Sequence, residues 1–173
     1  MAHFNPFHKS VLRAGSDIAD SILMRNTRTD FKNRYDVSTL ADGSDNKGLY
    51  DSFARLMSCE VNGRIIHYRI CLNDEDIMEF LRHNSEIDML TFIVFVMTHE
   101  LVHIHRFSMG EADFDKVDQD EEIIVDNLTR LFLAKYPPAG RERVFRLLDK
   151  LTPPPLYNHR TIFETGGRFN AYL

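Results

Sequence analysis

The segment from Thr98 to Phe107 reads THELVHIHRF. His99 and His103 are four residues apart, so on a helix they lie one turn apart on one face. That is close enough to hold a single metal ion. Glu100 is rotated about 100° from His99, beside such an ion rather than on it. This is the position for a carboxylate that takes a proton from a metal-activated water and later returns it to a leaving amine. His105 lies about 220° around from the direction between the two histidines, so it belongs to the surface or to a second layer.

The preceding residues, Met89 to Met97, read MLTFIVFVM and lead directly into His99. This run is far too short to cross a bilayer and reads as a buried helix. Phe92 and Val96 share the histidine face, one and two turns earlier. Polar groups that continue a core-facing stripe need partners, because burying them bare is costly. A metal supplies one; the structural alternative is a pair of core histidines hydrogen-bonded to carboxylates.

A third ligand is sought on a later helix. Glu121 and Glu122 follow His103 by 18 and 19 residues. Glu122 and Asp126 are four apart and can face the histidine helix together, the glutamate as ligand and the aspartate as acceptor of a ligand histidine's spare N–H. Glu121 remains the alternative ligand. It sits nearer the middle of the apolar stripe of Ile124, Val125, Leu128 and Phe132, where a buried glutamate would also serve. The Asp126 pairing favours Glu122.

HELVH followed by Glu122-x-x-x-Asp126 resembles the gluzincin zinc peptidases. Similar arrangements occur in thermolysin-like enzymes, in membrane peptidases with E-x-x-A-D and in small repressor-cleaving peptidases with E-x-x-A-N. The resemblance spans about residues 56–132 and identifies no subfamily; Val125 stands where alanine is frequent. It implies Zn²⁺ held by His99, His103 and Glu122, with Glu100 as general base and Asp126 behind a ligand. It also implies a sheet edge that holds an extended peptide, a part open to one strand of the hairpin described below. Relatives often steady the oxyanion with a late Tyr or His, for which Tyr157 and His159, beside Arg160, are the candidates. The astacin-like pattern does not apply, since Arg106 and Met109 occupy its glycine and final histidine positions.

The chain has 173 residues, 43% hydrophobic and 27% charged, which suits one metallopeptidase-like domain spanning 1–173. A net charge of −5 argues against a nucleic-acid partner that needs a broad basic surface. The N-terminus lacks a signal peptide's apolar core. Cys59 and Cys71 form neither a disulfide framework nor a zinc knuckle, so the expectation is a cytoplasmic protein with a peptide or protein substrate and no membrane partner.

Outward from the motif, the expected fold is α+β: a small antiparallel sheet, hairpin about 55–72, packed on four or five helices. It is zincin-like, with HExxH on the long central helix. Asn62-Gly63 suits a type I′ turn, in a register that puts Met57, Cys59 and Val61 on one face with Ile66, Tyr68 and Ile70. Asp36 to Gly48 reads as a mobile loop. Helices are expected over Ser10–Arg25, from Asn73 or Asp74 through Leu81, from a Ser85 cap to about Phe107, from Asp118 to Lys135 or Tyr136, and over Ala139–Leu151.

The chain thus reads as a zinc-dependent peptidase. The alternative is a catalytically silent metal-binding regulatory or interaction protein on the same scaffold. A di-iron helical oxidase would need a second E-x-x-H, which the sequence lacks.

Overall fold

The computed structural model describes residues 9–39 and 53–151, with side chains through residue 146. The element order is α1 (Lys9–Thr27), β1 (Tyr35–Thr39), β2 (Ala54–Val61), β3 (Arg64–Leu72), α2 (Asp74–His83), α3 (Met89–Ser108), α4 (Gln119–Lys135) and α5 (Arg141–Leu151). A 3-10 turn at Phe114–Lys116 precedes α4. The fold is α+β and zincin-like, a three-stranded sheet against helices with both motif histidines on the long central α3. No described helix is long and apolar enough to cross a membrane.

The sheet is mixed rather than purely antiparallel. Its order is β1-β3-β2, with β2 antiparallel and β1 parallel to β3. The hairpin turn has positive φ at Asn62 (51°) and Gly63 (76°), the backbone of a type I′ turn. The expected register does not hold beyond it. A bulge lies at Cys59/Glu60, so Cys59 faces His67 rather than Ile66. One extra residue moves every later side chain to the other face. Ala54, Leu56 and Ser58 therefore lie opposite Leu72, Ile70 and Tyr68, while Met57 and Cys59 lie opposite Arg69 and His67. Cys59 and Cys71 are both buried free thiols.

Residues 36–39 of the expected loop form most of β1; residues 40–48 lie outside the described residues. The polar composition hid the strand because its charge is answered within the sheet. Asp36 pairs in register with Arg69, whose Nε and Nη2 donate to its carboxylate at 2.7 and 2.8 Å. Val37 and Tyr35 pack on the core instead.

The helix ends follow local chemistry. Asn73 caps α2 by accepting from the Asp76 N–H. For α3 the cap is Asp88, not Ser85: its carboxylate accepts from the Thr91 N–H at 2.8 Å and from the Thr91 hydroxyl at 2.7 Å. At the other end Gly110 takes φ 70°. The Glu111 N–H then reaches the Arg106 carbonyl and the Gly110 N–H reaches Phe107, the paired bonds of a Schellman stop. Asp118 caps α4 through the Glu121 N–H at 3.0 Å. The last helix starts at Arg141, after Gly140 at φ 86°.

Buried side chains occur all around α3, from Thr91 to Thr98 and from Glu100 to Ile104. A helix apolar on every side must be enclosed by other elements; here α1 and α4 flank it, with β2 also in contact. At Gly15 α1 comes close to α3: an added Cβ would lie 2.5 Å from Ile93 Cγ2. Gly15→Ala should therefore lower the urea midpoint. Overpacking costs about 1–3 kcal/mol, against roughly 1 kcal/mol of helix propensity gained. An unchanged or raised midpoint would show that the two helices can part freely.

Candidate metal centre

Helix α3 presents four rings at four-residue spacing. Phe95 to His99, His99 to His103 and His103 to Phe107 have centroids 6.4, 5.0 and 5.7 Å apart. His103 and Phe107 are nearly parallel, at 21°, and Phe107 packs in turn on Tyr68 and Phe114. Aromatic packing thus limits rotation of the imidazoles. His103 is fully buried, while His99 is partly so, its side chain 13% exposed.

Helix α4 brings a carboxylate to both rings. Glu122 Oε2 lies 3.4 Å from His99 Nε2, and Glu122 Oε1 lies 3.3 Å from His103 Nε2. One ligand atom from each of the three residues falls within 4.8 Å of the others. Two donors at about 2.0–2.1 Å from a tetrahedral zinc are themselves about 3.3–3.4 Å apart. Charge-assisted N–H···O bonds are shorter, at about 2.7–2.9 Å. The spacing and the His₂Glu donor set therefore fit a zincin-type metal site.

Electrostatics point the same way. Burial alone would lower the His99 imidazole, but the Glu122 carboxylate outweighs it, with Glu100 and Asp126 adding to the rise. Burial dominates at His103 and lowers it. Glu122 is held well below the usual carboxylate range, because the two imidazoles outweigh the opposing effect of its burial. Without a metal, these opposed shifts favour an ionised Glu122 beside a protonated His99.

Glu100 is 3% exposed. Its Oε2 is buried without a hydrogen-bond partner among the described residues. Burial pushes its carboxyl up to about 7, with His99 opposing the rise and Glu122 adding to it. Such a carboxylate is costly to the fold and suited to moving a proton near neutrality.

Glu121 is placed elsewhere. Arg106 Nε and Nη2 donate to its Oε1 and Oε2 at 2.7 and 2.9 Å, so the consecutive glutamates divide between a guanidinium and the imidazoles. Asp126 lies near enough to raise His99, yet its Oδ2 accepts from Arg130 Nε at 3.2 Å. It makes no hydrogen bond to either motif histidine in this structure. Its buried Oδ1 has no partner among the described residues. Val125, where a smaller residue was expected, is fully buried, and the cluster still closes. His105 faces Phe31 edge-on at 6.0 Å, away from the cluster. Tyr157, His159 and Arg160 lie outside the described residues.

The ring column and the Arg106 fork escaped the sequence reading. The column was visible as Phe95, His99, His103 and Phe107 at a constant spacing of four; the fork had no local signal. No family model, curated protein or solved structure matches this chain.

A carboxyl group whose pKa is raised in the fold favours the native state at low pH. That advantage is complete below the unfolded value, 4.5, and is lost as pH rises through about 7. In chelator-treated protein, Glu100→Gln should therefore be close to neutral at pH 4.5. At pH 8 it should be stabilising by up to roughly 3 kcal/mol. Equal effects at the two pH values in urea titrations would show that Glu100 is not held in a low-dielectric site.

Proposed function

We propose that this chain is a zinc-dependent peptidase, with His99, His103 and Glu122 as metal ligands and Glu100 as general base. A zinc ion held by these three groups would supply Lewis acidity, polarising the scissile carbonyl and acidifying water. Glu100 accepts the proton released as water attacks that carbonyl and returns it to the nitrogen of the departing amine. The Phe95 and Phe107 rings keep the two imidazoles oriented. Asp126 adds negative charge behind His99.

The observation that carries this reading is the buried Glu100 side chain beside the cluster, whose Oε2 has no hydrogen-bond partner among the described residues. A protein that only bound metal would gain nothing from it, and burying an unbonded carboxylate is costly. This supports a hydrolase over a silent regulatory module on the same scaffold. The resemblance to gluzincins, carried by HELVH and Glu122-x-x-x-Asp126, points to a peptide bond as the bond cleaved.

Glu100→Gln should retain metal while losing about 10²- to 10⁴-fold in the rate of peptide hydrolysis. The assay is a quenched-fluorescence peptide library, with metal content measured on the same sample. Wild-type turnover in this variant would rule out Glu100 as the base. A metal-loaded wild type that cleaves no peptide or unfolded protein would favour the regulatory alternative.

A further inference from the structure

Glu121 and Glu122 are neighbours on α4, about 100° apart around its axis. Turning the helix by about that angle would present the wrong carboxylate to the histidines, and a smaller turn would already carry Glu122 away from them. Residues 111–118, which lead into α4, are irregular apart from one 3-10 turn. The Asp118 cap bonds only within α4's own first turn.

Arg106 supplies a tie between the helices that does not pass through the cluster. It lies three residues after His103, in the last turn of α3. Its Nε and Nη2 hold the two oxygens of Glu121, while Nη1 donates to Glu111 at 2.9 Å. The guanidinium is 12% exposed and Glu121 10%, whereas Glu111 is 49% exposed. The Glu121 contact is thus a shielded, two-point fork that fixes orientation as well as distance. The Glu111 contact is a solvated ion pair of little consequence.

We infer that Arg106 is a positioning residue for the metal site: by taking Glu121 as a strut it sets the rotation of α4 that delivers Glu122 to His99 and His103. Arg106 touches neither ion nor substrate. Its action is on the affinity and symmetry of the site. Glu121, which the sequence left as a rival ligand, is in this account the reason that Glu122 can be one.

This inference rests on the metal-site reading above, and the two can fail separately. Zn²⁺ affinity is measured by chelator competition on the full chain, with Co²⁺ absorption reporting coordination. Each variant is checked for native circular dichroism in its metal-free form. Wild type is expected to bind one ion. Arg106→Gln should bind about 10- to 100-fold more weakly with an altered Co²⁺ spectrum. Arg106→Lys, which keeps the charge but not the fork, should remain at least about tenfold weaker. Glu111→Gln should stay within about twofold of wild type. If Arg106→Gln does not fold, Glu121→Gln tests the same strut and should show the same weakening. The double variant should be no weaker than either single one, since both remove one contact.

Wild-type affinity and spectrum in Arg106→Gln or Glu121→Gln would overturn the inference and leave the metal site standing. So would full binding by Arg106→Lys, or equal weakening by Glu111→Gln. A wild type that binds no ion would overturn both.

Discussion

Two imidazoles that continue the buried face of a mostly apolar helix need polar partners from another element, and in this fold Glu122 is the one that faces both. Its carboxylate faces both Nε2 atoms at 3.3 and 3.4 Å. The surrounding architecture serves that meeting. Buried residues lie all around most of α3, α1 approaches it closely at Gly15, and the first turn of α4 brings Glu122 to the histidines and Glu121 to Arg106. Without the carboxylate, two buried polar rings would be left to compete with the core for partners.

The cluster also shows a division of labour among like residues. Three glutamates crowd the same few turns, and their surroundings separate them. Glu121 is held in a guanidinium fork. The histidines keep Glu122 ionised well below the ordinary range. Glu100, in the least polar setting, is pushed the opposite way, to about 7. The proton transfer proposed for Glu100 would draw on this separation of neighbouring carboxyl groups.

Much of this was legible in the sequence where the signal was local. The apolar run into HELVH, the Asp118 start of α4, the Asn62-Gly63 turn and the one-turn spacing of the histidines all rest on near neighbours. What escaped depends on tertiary contact. The bulge at Cys59/Glu60 leaves no mark in a run of alternating residues, yet it exchanges the two faces of β2. Strand β1 looked like a loop because Arg69, far along the chain, neutralises Asp36. The α3 cap is a local exception: Asp88 takes the place expected of Ser85 because Thr91, three residues on, supplies it with two donors. The preference for Glu122 over Glu121 rested on Asp126 alone, since the Arg106 fork on Glu121 leaves no local signal.

The most direct test of the central claim is a crystal grown with zinc and measured on both sides of the zinc absorption edge. One anomalous peak per chain is expected, within about 2.0–2.2 Å of His99 Nε2, His103 Nε2 and a Glu122 oxygen. An ordered structure without a peak there, or with zinc bound only at other residues, would contradict it.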